Sequence, residues 1–214
     1  MAYILPLADD SFGDEEKHAM ISVIESGYYT MGEKVSEFED AFSNWLGSSH
    51  SVMVNSGSSA NLLLVYSQIV SSFKNDLMKP GDEVLVPALL WPTTIWPLIQ
   101  FGLKPVLVDI DLESLAMDLE DSKCKVTKKT KAVFLIHVLG YACEMDDYVS
   151  FCHDHNLILL EVQENDITNN VNIICPSNHS KLFFNKDRET IIVIKKDEYY
   201  ELLGEVTKVN GRFD

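Results

Sequence analysis

Five short apolar runs, at residues 51–54, 83–87, 105–109, 132–137 and 157–161, most restrict what this chain can fold into. Each is too short for an ordinary helix and lacks the alternation of a strand with one wet face. They therefore read as strands buried on both faces. Helical patterns lie between several of them, near 60–73, 94–101 and 145–156. Such strands alternating with helices build βαβ units, so the expected fold is three-layer α/β with a mostly parallel sheet. Pro80-Gly81-Asp82 marks the turn into the second strand.

Two helices precede this series. The first, 14–26, opens with Asp14, Glu15 and Glu16, which complement the positive end of its dipole, and stops at Gly27. Met20, Val23 and Ile24 share one of its faces. The second, 34–46, places Val35, Phe38, Phe42 and Leu46 inward. From about residue 162 the alternation stops and Asn becomes frequent, at 165, 169, 170, 172, 178 and 185. Strand-like runs at 171–175 and 190–194 and a helical piece near 198–203 give this tail an α+β character with no assignable fold. The expected division is 1–161 and 162–214.

With 214 residues, 46% hydrophobic and 23% charged, the chain can bury the core of one good-sized domain. Its net charge of −16 opposes nucleic-acid binding, which needs clustered Lys and Arg against phosphates. A small phosphorylated ligand is still allowed, because backbone N–H groups at a helix N-terminus can hold it. No run reaches the roughly 18 apolar residues of a membrane span, and residues 1–10 show no basic-then-apolar leader. The expectation is a cytoplasmic protein with no membrane partner. Cys124, Cys143, Cys152 and Cys175 lack C-x-x-C spacing and are expected as reduced thiols.

Two loops could carry chemistry. Asn55-Ser56-Gly57-Ser58-Ser59-Ala60-Asn61 joins the first strand to a helix, so small residues and hydroxyls surround a positive helix end, a cup for an anion. Taken alone, the same residues also suit an ordinary Ser-capped turn. Pro87-Ala88-Leu89-Leu90-Trp91-Pro92-Thr93-Thr94 follows the second strand, at the strand end where α/β sheets bind ligands. Trp91 could stack on a planar ring there or merely cover the core edge. Asp109 and Asp111 read as caps of the next helix. His153 and His155, two apart, diverge on a helix and read as a solvated face, so no metal site is expected. His137, at a strand end, stays open between roles.

In order, Gly27-Tyr28-Tyr29-Thr30-Met31-Gly32, Val35-Ser36-Glu37-Phe38-Glu39, Asn55-Ser56-Gly57-Ser58-Ser59-Ala60, Gly81-Asp82-Glu83-Val84, Pro105-Val106-Leu107-Val108-Asp109-Ile110-Asp111, Lys129-Thr130-Lys131-Ala132 and His137-Val138-Leu139-Gly140 form a specific set. The set resembles the DegT/DnrJ/StrS sugar aminotransferases over residues 5–161. The segment 87–97, with Trp91 and Trp96, looks most like the branch linked to lipopolysaccharide deoxysugars. The resemblance implies an aspartate-aminotransferase (fold type I) large domain, here incomplete, with pyridoxal 5'-phosphate as cofactor. Gly57 and Ser58 would hold its phosphate, and Trp91 would stack on its pyridine ring. The partners implied are a keto sugar nucleotide, an amino donor (usually glutamate) and a second copy in a homodimer.

Two positions depart from that pattern. The family follows its fifth strand with Glu-Asp, the Asp pairing with the pyridine nitrogen, whereas here Glu161 precedes Val162. Glu161 or Glu164 is the conceivable substitute, but strand alternation aims Glu161 at the opposite face. The family also places a Ser five residues before its Schiff-base lysine, with a Gly-Glu-Gly-Gly segment after it. Lys186 is the candidate here, but Ser180 is six residues before it and no such glycine segment follows. The resemblance stops at one position, which predicts a family front half joined to unrelated sequence, inactive in transamination alone. An active aminotransferase of unusual build and a non-catalytic α/β protein kept for binding or subunit pairing are the other expectations. A sheet ending at 161 is expected to leave an exposed strand edge.

Overall fold

Strands buried on both faces can exist only between two helical layers, and this dictates the arrangement in the computed structural model. It describes residues 13–30, 32–46, 50–70, 78–138, 143–165, 169–175 and 190–194. The elements are α1 (Asp14–Ser26), α2 (Glu33–Leu46), β1 (His50–Val54), α3 (Gly57–Val70), β2 (Glu83–Pro87), α4 (Pro92–Gln100) and β3 (Lys104–Val108). They continue as α5 (Leu119–Lys125), β4 (Thr130–Val138), α6 (Met145–His155), β5 (Ile158–Asn165), β6 (Asn169–Cys175) and β7 (Thr190–Ile194). Met1–Phe38 and Glu39–Asp214 are two compact units, and the sheet belongs to the second.

The sheet order is β1-β7-β6-β5-β4-β2-β3. Strands β3, β2, β4 and β5 form a parallel block. Strand β6 runs antiparallel to β5 and parallel to β7, and β7 runs antiparallel to β1. Two reversals cancel, so β1 runs in the same direction as the parallel block. Five strands thus point one way, as the α/β expectation requires, and two point back.

Two cores sandwich the sheet. On one face Ala60, Leu64 and Val65 of α3 and Leu98 of α4 pack on Val84, Val86, Phe134, Ile136, Leu160 and Val162. On the other, Tyr148, Phe151 and Cys152 of α6 pack on Leu85, Val133, Leu135 and Leu159. Alternate residues of β4 enter opposite cores, so nearly the whole strand is buried, and each such side chain contributes on the order of 1.5–3 kcal/mol. At the β1 edge, Glu39 of α2 accepts the Met53 N–H at 2.7 Å, and Ser43 Oγ meets Ser51 Oγ at 3.0 Å. These contacts satisfy part of an otherwise open strand edge.

Several expectations change. Strand β5 is not an edge, because β6 pairs along it from Leu159 to Asn165. The runs expected at 171–175 and 190–194 are the strands β6 and β7, while the helical piece near 198–203 lies outside the described residues. Residue 162, where the resemblance is expected to stop, lies within β5. In the first unit, α1 ends at Gly27 in the left-handed conformation (φ 73°), as its sequence suggests. On its shared apolar face Met20 is 50% and Ile24 62% exposed. The helix that follows β3 is α5, whose range the sequence pattern did not delimit, and its cap is Asp118, which accepts the Asp121 N–H at 2.9 Å. Asp109 and Asp111 do not cap it: Asp111 instead accepts the Ser114 N–H at 2.8 Å in a tight turn.

Candidate functional site at the carboxyl rim of the sheet

Because β1 to β5 run in one direction, the loop opening α3 and the loop opening α4 lie on the same rim. Ligands of open α/β sheets bind outside that rim. Ser56 caps α3: its carbonyl accepts the Ala60 N–H at 3.0 Å and its hydroxyl the Ser59 N–H at 3.3 Å. Ser59 Oγ donates to Asn55 Oδ1 at 2.7 Å. The turn is Ser-capped, and its capping hydroxyls are Ser56 and Ser59. Gly57 is buried at the first helical position, while Ser58 is exposed and its hydroxyl makes no hydrogen bond to the described residues. A small residue and an outward hydroxyl at a positive helix end are what an anion requires.

Trp91 does not cover the core edge. It sits at the cap position of α4 with extended backbone (φ −76°, ψ 143°) and is 66% exposed. Pro92 follows at the first helical position, where its missing N–H is not needed. Asn61 ties the two loops together: its Nδ2 donates to the Thr93 carbonyl and to Thr94 Oγ1, both at 3.4 Å. Asn61 and Thr94 are themselves buried, so the first turn of α3 and the base of the Trp91 loop form one unit. Asn61 closes the motif that the sequence singles out after the first strand, but its bonding role is not read there. An amide in the apolar first turns of a helix was the available signal, since a buried amide needs partners.

Strand β5 divides its side chains by parity. Leu160 and Val162 face α3, and Glu161 faces α6. Glu161 is 3% exposed and accepts from His137 Nε2 at 3.3 Å. His137 Nδ1 in turn accepts the Cys143 N–H at 3.2 Å. Burial pushes the Cys143 and Cys152 thiols up to about 12, and the charge of Glu161 adds to both shifts. The aim of Glu161 was legible from alternation, but its pairing with His137 was missed. The open signal was two polar side chains set in neighbouring apolar strands.

Lys186 and Ser180 lie outside the described residues. His153 and His155 are exposed on α6, and His153 Nδ1 lies 3.5 Å from its neighbour Asp154. Among the described residues, no group of three His, Cys, Asp or Glu side chains converges as a metal centre. No described helix is long and apolar enough to cross a membrane.

The model of the DegT/DnrJ/EryC1/StrS aminotransferase family matches residues 10–162. The GDP-4-keto-6-deoxy-D-mannose 3-dehydratase of Yersinia pseudotuberculosis is 40% identical over 156 residues, 73% of this chain and 39% of that protein. The GDP-perosamine synthase of Vibrio cholerae is 31% identical over 159 residues, 74% of this chain and 41% of that protein. A solved GDP-4-keto-6-deoxymannose-3-dehydratase, holding a trapped PLP-glutamate geminal diamine, superimposes with a TM-score of 0.69. It is 40% identical and covers 73% of this chain and 40% of its own. This chain spans about two fifths of the length of these curated relatives.

Proposed function

This chain belongs to the DegT/DnrJ/EryC1/StrS aminotransferase family, and from that premise we propose that its sheet rim binds pyridoxal 5'-phosphate for chemistry on a keto sugar nucleotide. The observation that carries the reading is the bond from Asn61 to Thr93 and Thr94, which sets the α3 cup and Trp91 on one support. Gly57 and Ser58 hold the phosphate through the helix end and the free hydroxyl, and Trp91 offers its exposed face to the ring. When bound, the cofactor supplies an electron sink for bonds next to the nitrogen it carries. In the same reading the protein works in the cytoplasm as a homodimer.

The fit is incomplete at the ring nitrogen. On the α3 side, β5 presents Leu160 and Val162, and neither can pair with a protonated pyridine. Glu161 is committed to His137 on the other face. Lys186 stays the proposed covalent attachment point. Loss of the carboxylate at 162 is the specific observation behind a second reading, in which the chain binds or pairs without turning over.

If the chain turns over, two outcomes compete for the same substrate class. Relatives at 40% and 41% identity are named 3-dehydratases, which favours removal of a hydroxyl from the sugar. The perosamine synthase, at 31%, favours transfer of an amino group from a donor such as glutamate. The test begins by titrating the chain with pyridoxal phosphate and with pyridoxal, following tryptophan fluorescence. Saturation by the phosphorylated compound alone, abolished in Trp91→Phe and Ser58→Ala together, is the expected result; equal responses to both ligands refute the cup. Borohydride fixation and peptide mapping then show whether Lys186 carries the cofactor. Incubation with GDP-4-keto-6-deoxy-D-mannose and glutamate, read by mass spectrometry, separates deoxygenation, amination and no turnover.

A further inference from the structure

The buried chain Glu161–His137–Cys143 lies on the sheet face away from the proposed cofactor and plays no part in holding it. Its hydrogen bonds fix the state of the ring. Nδ1 accepts the Cys143 N–H at 3.2 Å and so carries no proton, while Nε2 lies 3.3 Å from a Glu161 oxygen that can only accept when ionised. His137 is therefore neutral in this arrangement, protonated at Nε2 alone. It is 1% exposed, so neither partner can be replaced freely by water.

Cys143 is where the chain returns to the rim to enter α6. Core packing of Cys143, Tyr148 and Phe151 and the Tyr148 hydroxyl hold the body of α6, but its first backbone turn is weakly fastened among the described residues. Its cap residue, Glu144, makes no side-chain capping bond, and the first-turn bond from the Tyr148 N–H to the Glu144 carbonyl is long, at 3.4 Å. The Cys143 thiol adds a weak contact to the Ile136 carbonyl at 3.7 Å. We infer that His137 is an acid-released latch, which fastens the start of α6 to β4 while neutral and lets it go when protonated.

The release follows from donor and acceptor arithmetic. A second proton on the ring must sit on Nδ1, where it meets the Cys143 N–H, donor against donor. The charged groups around the ring reinforce the change. Glu161 from β5 attracts the imidazolium toward itself and away from Cys143. From the α6 side, Glu144 and the thiols of Cys143 and Cys152 stand nearby, with Tyr148 donating to the Met117 carbonyl. The latch stands whether or not the rim binds a cofactor.

Amide hydrogen exchange of the intact chain at pH 7.5 and pH 5.0, corrected for intrinsic rates, tests this. Protection at 143–148 is expected to fall about tenfold in acid, the loss of one buried hydrogen bond, while β2 amides stay unchanged. His137→Asn places an amide oxygen near the Nδ1 position, cannot be protonated, and is expected to remove the acid step. His137→Gln places a donor near Nε2 only and is expected to leave 143–148 unprotected at both pH values. Acid-independent protection in the wild type, or an acid step that survives in His137→Asn, overturns the latch. Should either variant misfold, ring titration of wild-type His137 by NMR must track the Cys143 amide, and a mismatch overturns it equally.

Discussion

Replacing Val162 with Asp tests the burial and aim of β5 and the proposed position of the cofactor ring together. Val162 is 1% exposed and packs with Leu160 in the core beneath α3. Removing its apolar burial costs roughly 1.5–2 kcal/mol. A carboxyl placed there is desolvated, which raises its pKa by ~2–3 units, and at about 1.4 kcal/mol per unit this adds ~3–4 kcal/mol at neutral pH. The sum, about 5 kcal/mol, corresponds to a Tm lower by ~10–20 °C in a domain of this size.

The sign of the pH dependence is fixed. The folded carboxyl holds its proton at pH values where the unfolded one has released it, so the variant loses stability as pH rises from about 4 toward 6–7. It should therefore lie nearest the wild type in acid. Pyridoxal phosphate should reverse part of the penalty, because its ring nitrogen can then share a proton with the new carboxylate. Thermal melts at pH 5.0 and 7.5 and a fluorescence titration with the cofactor are the assays. Val162→Asp should bind the cofactor at least about tenfold more tightly than Val162→Asn, a gain of about 1.4 kcal/mol. Equal affinity in the two variants refutes the ring position, and wild-type stability at pH 7.5 refutes the burial.

Four further outcomes are expected from the packing. A thiol reagent at pH 8 should label exposed Cys124 and spare Cys143 and Cys152, whose thiols burial pushes up to about 12, until the chain is unfolded. Because those folded values lie above the unfolded one, their contribution to stability is lost as pH climbs from about 8.5 toward 12, which alkaline melts should show. Phe134→Ala, at the fully buried centre of β4, should cost ~3–5 kcal/mol in denaturant unfolding. Asp118→Ala should cost about 1 kcal/mol by removing the α5 cap, and Asp118→Asn should retain most of it.

The parallel block was legible because its strands are short apolar runs with clear turns, and β2 begins and ends where the pattern places it. Helix α5 was not, since seven residues of mixed charge, 119–125, give no apolar period to read. The outward face of α1 shows the opposite limit: the spacing of Met20 and Ile24 fixes a shared face but not what covers it. At the rim, parity sufficed to aim Glu161 away from Val162. The partner of Glu161 depends on the register of β4 against β5, which pairs Leu135 with Glu161 and sets His137 on the same face. Register is a tertiary quantity that a run of apolar residues does not encode. Trp91 was ambiguous for a related reason: an aromatic next to proline suits either a lid on the core or a platform in solvent, and only the loop geometry decides.

The strand that carries the phosphate cup and the strand that carries position 162 are joined in the sheet through a part of the chain the family match does not reach. The match ends at residue 162, within β5. The cup at Gly57 hangs from β1, and β1 is seated in the sheet by pairing with β7 from His50 to Val54. Strand β7 reaches β5 only through β6. Three strand spacings of about 4.8 Å therefore separate β1 from β5, and the intervening strands come from residues 169–194. The segment without family resemblance is thus not an appendage in this fold. It sets the distance and direction between the phosphate cup and position 162, while Asn61, bonded to Thr93 and Thr94, sets the cup against Trp91 from within the matched segment. A ligand that needs only the cup and the aromatic face draws on the matched part alone, and one that also needs a partner at β5 depends on how β6 and β7 fill the sheet.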